Sequence, residues 1–267
     1  MAGVSEESDF RMPLPEGGSL HARRRVRPLS DGLTWIEEEM EVDGRLSGAF
    51  ATGPGWIFEL HTITAGAVSF LQDGVSLPIA GPRFALFFAP YSITAVQFEN
   101  VRTRWVGVAG QSNAGGESLV LDIEAESRAS NPAELLALLS GPREARSLER
   151  CTRPSSLLRR ARAVFDASHR RAPSISGVAE DLGVSHAHLT REFKRAFGMT
   201  PMAYRHALRA SEAAGRLSRG EPIVDVSGEV GYADIGRFYK AFRKAVHASP
   251  GARRIPAAAS KSAKAGR

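Results

Sequence analysis

The chain has 267 residues, 43% of them apolar and 24% charged, with a net charge of +6 and one cysteine, Cys151. This composition excludes collagen-like, wholly disordered and coiled-coil classes. No run reaches the ~20 apolar residues of a membrane span, and a lone cysteine excludes a disulfide framework or a multi-cysteine zinc site. With no apolar leader segment read at the N-terminus, a reducing cytoplasm is the expected compartment.

The charge is unevenly spread. Residues 1–150 hold 13 Lys/Arg and 20 Asp/Glu, a balance of −7, and residues 151–267 hold 22 and 9, a balance of +13. Two domains with different jobs are expected, the basic one meeting a polyanion.

Residues 1–30 carry few structure signals beyond Pro13, Pro15, Gly17, Gly18 and the cluster Arg23, Arg24, Arg25 and Arg27, and read as a mobile arm. Residues 31–141 read as a β domain closed by a short helix. Short segments rich in β-branched and aromatic residues (56–63, 67–71, 84–89, 93–98, 103–108) are punctuated by Gly or Pro at 53–55, 66, 74, 81–82 and 90. Such spacing predicts an antiparallel sandwich or barrel. Asn131 and Pro132 then open a helix over 133–140 that Gly141 and Pro142 close. Its leucines, Leu135, Leu136, Leu138 and Leu139, face either a second copy of the chain or the β domain itself. Residues 142–153 read as a linker containing Cys151, residues 154–255 as helical throughout, and 256–267 as a disordered basic tail.

The helical half contains an internal repeat. Residues 185–201 align with 234–250 at an offset of 49: Leu189 with Phe238, Phe193 with Phe242, Phe197 with Val246, Lys194 and Arg195 with Arg243 and Lys244, and Pro201 with Pro250. Upstream, Ala179 and Gly183 match Ser227 and Gly231. Each copy reads as a short helix, a glycine turn and a second helix capped by Ser185 or Asp234. The i, i+4, i+8 stripe faces inward, and the start of the second helix faces out. This is helix-turn-helix patterning, whose second helix enters a DNA major groove by its N-terminal end. Between the copies, Ala203, Ala207, Ala210, Ala213, Ala214 and Leu217 form the small-residue face of a linking helix that Gly220 stops.

At these residues the chain resembles the AraC/XylS family of bacterial transcription regulators. The resemblance rests on residues 175–183 (ISGVAEDLG), 189–201, Tyr204, Arg205, Arg209, Ala213, Leu217, Ile223, Ser227, 231–234, Phe238, Phe242 and Pro250. It implies seven helices, two helix-turn-helix units in adjacent major grooves of double-stranded promoter DNA, RNA polymerase as a partner, and activation as the usual mode. By position, the base-edge candidates are Ala187, Thr190 and Arg191 in the first unit and Ile235, Gly236, Arg237 and Lys240 in the second. His186, Lys194, Arg195, Arg243 and Lys244 are phosphate candidates. Two departures stand out. His247 replaces the family's usual glycine, implying a local change in how that helix ends, and Gly236 lies in the second recognition helix, where glycine costs ~1 kcal/mol against alanine.

In this family the N-terminal domain is commonly a cupin-like β-barrel that senses a small molecule or forms a homodimer, and residues 66–74 and 78–90 resemble one. Trp35, Trp56, Phe58, Phe87, Tyr91 and Trp105 are candidate walls of an effector pocket, against a plain core role. Only His21 and His61 are available as histidine ligands there, so no metal and no other cofactor is expected. The residues contain no His/Asp/Glu cluster, no Ser–His–Asp set and no phosphate loop, so no catalytic residue and no enzyme is read. The expectation is a sequence-specific regulator; the alternatives are a ligand-independent regulator whose β domain only dimerises and, ranked far below, a cupin-type small-molecule enzyme.

Overall fold

Leu20, Ala22, Arg24 and Val26 are buried on alternate positions of one extended segment, the period of a β-strand rather than of an arm. A computed structural model describes residues 6–14, 16–29, 32–52, 55–72, 75–82, 84–88, 92–110, 119–123, 128–140, 144–147, 155–171, 173–246 and 248–254. In it, β1 (Glu6–Pro13) and β2 (Gly18–Pro28) pair antiparallel, which corrects the reading of residues 1–30 as a mobile arm. Cross-strand charge pairs join them: Asp9 meets His21 at 2.9 Å and Arg23 at 3.3 Å, and Glu7 meets Arg25 at 2.7 Å. Arg23, Arg24 and Arg25 lie opposite Glu39, Glu38 and Glu37 of β3 (Thr34–Thr52).

The sheet continues through β4 (Trp56–Gln72), β5 (Val75–Ala80), β6 (Phe84–Phe88), β7 (Ser92–Ala109), β8 (Leu119–Asp122) and β9 (Ala145–Ser147). Its order is β1-β2-β3-β7-β4-β6-β8-β9, with β5 paired to β4. The antiparallel β domain is thus present, but among the described residues its end strands β1 and β9 do not pair, so the sheet is open where a closed barrel was expected. Strand β9 also falls inside the segment read as a linker.

Residues 56–63 and 67–71 belong to one strand, as do 93–98 and 103–108. Glycine bulges a strand here instead of ending it. Gly66 has φ +80°, and a Cβ there would meet the Asn100 carbonyl oxygen at 2.1 Å. The Asn100 side chain accepts from the Gly44 amide at 2.8 Å, beside the register shift of β3. Irregularities thus line up across β3, β7 and β4, where bulges bend strands and increase their twist.

Adjacent residues of β3 separate the two faces. Trp35 packs in a cluster with Leu60, Val106 and Leu135 of α1 (Pro132–Ser140). Leu135 therefore covers the chain's own β domain, while Leu136 stays exposed. Ile36 packs in a cluster with Trp56, Trp105 and the alanines of the helical half. That half holds seven helices among the described residues: α2 (Ser156–Ser168), α3 (Ile175–Asp181), α4 (His186–Phe197), α5 (Pro201–Leu217), α6 (Ile223–Glu229), α7 (Ile235–Val246) and α8 (Pro250–Arg253). None of the described helices is long and apolar enough to cross a membrane. Cys151, His247 and the tail 256–267 lie outside the described residues.

Candidate nucleic-acid interface

Each unit is assembled by the same local chemistry. Gly183 and Gly231 take φ +71° and +93° in the two turns, a backbone conformation that L side chains resist. The Ser185 hydroxyl accepts from the His188 amide at 3.1 Å, and the Asp234 carboxylate accepts from the Arg237 amide at 2.7 Å. These caps satisfy the first free amides of α4 and α7. Leu189, Phe193 and Phe197 of α4 are buried, and so are Phe238 and Phe242 of α7. Both helices have 12 residues, at the offset of 49 that the sequence repeat carries.

The opposite faces carry the DNA candidates. His186, Ala187 and Arg191 are exposed at the start of α4, with Lys194 and Arg195 further along. Ile235, Gly236, Arg237 and Lys240 are exposed at the start of α7, with Arg243 and Lys244 beyond. Thr190 differs, being half-buried with its hydroxyl enclosed and unpartnered among the described residues. Arg191 touches His188 Nδ1 at 3.1 Å and Glu192 at 3.4 Å, and Arg195 pairs with Glu192 at 2.8 Å. Hydrogen bonds from Arg195, outweighing slight desolvation, hold the Glu192 carboxyl below its usual range. Exposed pairs of this kind are weak, so Arg191 can exchange its contacts for a base edge at little cost. A Cβ on Gly236 would meet only Asp234 Oδ1, at 3.3 Å.

Helix α5 holds the units together. Thr200 caps it, and its 17 residues span about 26 Å. Its Arg209 donates to the carbonyls of His169 at 2.8 Å, Arg170 at 2.9 Å and Gly231 at 2.9 Å, and its guanidinium lies 5.2 Å from the Tyr232 ring centroid. One side chain thus ties the end of α2 and the turn of the second unit to α5. His206 Nδ1 lies within hydrogen-bond distance of the Tyr232 hydroxyl, at 2.7 Å. Burial, then Arg209 and Arg205, holds the His206 pKa below its usual value. Buried Glu212 takes His169 at 2.8 Å and also Arg170. Burial pushes its carboxyl up, but hydrogen bonds from His169 and Arg170 leave it below the usual value. In the sequence, Arg209 is marked only by the family pattern and by being an arginine amid an alanine-rich helix.

The effector-pocket candidates separate. Trp35 is core, packed beneath α1. Phe58 is half-buried in the same cluster. Phe87 is placed by its backbone in β6, and Tyr91 lies outside the described residues. Trp56 and Trp105 meet edge to face at 5.8 Å and wall a cavity between the sheet and α5.

Two short-helix units in register, with capped second helices presenting cations outward, define a tandem helix-turn-helix module. Residues 178–254 match the family model described as a helix-turn-helix domain, and this part of the chain is such a domain, of the AraC type. Regulatory protein ada from Salmonella typhimurium is 33% identical over 67 residues, 25% of this chain. The chain covers 19% of that curated relative's length. The C-terminal domain of AraT, a response regulator from Geobacillus stearothermophilus, is 31% identical, over 39% of this chain and 87% of that one, with a TM-score of 0.35. ToxT from Vibrio cholerae O395 is 12% identical, over 92% of this chain and 95% of that one, with a TM-score of 0.45.

Proposed function

We propose that the protein is a sequence-specific DNA-binding transcription regulator, placing α4 and α7 in adjacent major grooves of promoter DNA. The observation that carries this reading is the pair of equivalent capped helices, each with an exposed arginine near its start, Arg191 and Arg237. Arginine pairs bidentately with guanine, and the exposed Ala187 and Ile235 suit thymine methyls. Lys240 joins the base-edge set, and Thr190 joins it once its hydroxyl is uncovered. His186, Lys194, Arg195, Arg243 and Lys244 meet phosphates and fix register. Activation through RNA polymerase, dimerisation through the β domain, control by a small molecule and a cytoplasmic setting complete the reading.

Selection of bound sequences from random DNA, with and without cell extract, tests it. The expected result is one preferred sequence with two half-sites about one helical turn apart. Retention of DNA without any sequence preference overturns it.

A further inference from the structure

A cavity of about 130 Å³ lies between the sheet and the helical half. Arg24, Glu38, Glu59 and Trp56 reach it from the sheet, and Ala210 and Arg253 from the helices. A void of about 150 Å³ holds benzene, so this one suits a guest of similar size.

Its charges are unusually placed. Arg24 is 3% exposed and donates to the Ser218 hydroxyl at 2.5 Å. Among the described residues no carboxylate lies within ion-pair distance of it, and its buried Nε has no acceptor. Burial, then the like charge of Arg253, pulls its pKa down to about 9 against the opposing pull of Glu38 and Glu59. Arg253 is paired with Glu38 at 2.7 Å, but its Nε is also without an acceptor. Glu59 is 6% exposed and meets the His61 ring at 3.3 Å. Two arginines and two glutamates on the wall sum to zero. A monoanion would leave the cavity negative, and a monocation would leave Arg24 Nε without an acceptor. Unbalanced charge among buried groups is costly. A zwitterion preserves neutrality and supplies both an acceptor and a donor. Beside these groups, Leu46, Phe98, Trp56 and Trp105 offer apolar walls.

We propose that this cavity binds a small apolar α-amino acid of about the size of valine, its carboxylate on Arg24, its ammonium on Glu59 and its side chain against Trp56 and Trp105. The site would couple to DNA because Ala245 and Val246, at the end of α7, also border it. That consequence, unlike binding itself, rests on the regulator reading.

Calorimetry on the full chain tests the proposal with L-valine, isovalerate, which lacks the ammonium, and isobutylamine, which lacks the carboxylate. L-valine should bind at least about tenfold tighter than either analogue. Ala210→Leu, which fills the void, should abolish binding while retaining DNA affinity. Glu59→Gln, which keeps volume, should reverse the preference toward isovalerate, and it decides the matter if the filled variant does not fold. Isovalerate binding as tightly as L-valine overturns the proposal, as does no heat with L-valine at any concentration tried. DNA selection run in parallel separates the two readings. Sequence preference without valine binding defeats only the cavity proposal, and valine binding without sequence preference defeats only the regulator.

Discussion

The carbonyl oxygen of Gly55, in the turn entering β4, lies 2.3 Å from where a Cβ would sit on Gly215 of α5. Backbone meets backbone there, so sheet and helix approach as closely as glycine allows. One residue on, the Trp56 indole donates to the Ser211 carbonyl at 3.0 Å, and Arg253 of α8 reaches back to Glu38 of β3. The AraC-type domain is therefore docked on the sheet through the helix that carries both reading heads.

Gly215→Ala should force the two halves apart at that contact. No flexible side chain can yield, so the cost is expected at about 3 kcal/mol. Gly228→Ala, also helical but with nothing within 4 Å of the added methyl, serves as the control and should be neutral or stabilising by up to about 1 kcal/mol. Urea unfolding of the two variants checks this; equal stabilities would show that the contact yields freely.

Arg209→Met should strip three carbonyls of their donor at once. Charge-assisted bonds of this kind contribute about 1.5–3 kcal/mol each, though not additively, so a loss of about 2–4 kcal/mol is expected. Because the clamp holds the Gly231 turn, the second reading head should suffer most. Footprinting checks this: the half-site read by α4 should persist while protection of the other fades. Equal loss at both would place Arg209 in general stability alone.

The helical half was legible because its signals are local. Glycine turns, Ser and Asp caps and an apolar stripe at four-residue spacing all fall within one unit, and the repeat states them twice. The β half was less so. Arg23, Arg24 and Arg25 look like an arm's charge cluster until their register opposite Glu39, Glu38 and Glu37 is known. Gly66 looks like a strand end because sequence does not show that the Asn100 carbonyl presses on it from a neighbouring strand. The cavity was invisible for the same reason, since its walls run from Arg24 to Arg253.

Arg191→Ala and Lys244→Ala should fail differently. The first removes a base-edge candidate, so specific binding should fall by about 1–3 kcal/mol with one operator position relaxed. The second removes a phosphate candidate, so affinity should fall on all sequences and the salt slope should drop by about 1. Titrations of both variants at several fixed salt concentrations separate these outcomes. An unchanged affinity and sequence preference in Arg191→Ala would remove that residue from the interface.

His206 should make stability depend on pH within the range where histidine titrates. Burial, followed by Arg209 and Arg205, lowers its folded pKa. The unfolded chain, with an ordinary pKa near 6.5, then binds a proton more readily than the folded one. Stability held above pH 6.5 is therefore lost as pH falls below it toward the folded value. Glu212 adds a second loss further down, since its carboxyl sits below the ordinary 4.5 when folded. Half-buried Asp166 opposes it, because desolvation raises its carboxyl pKa and protonation relieves the folded state. Urea midpoints between pH 7.5 and 5.5 span the range in which the histidine titrates. The native chain should weaken across that window, and His206→Asn, which keeps a polar group beside Tyr232, should weaken less. Identical slopes for the two proteins would show that His206 is not the titrating group.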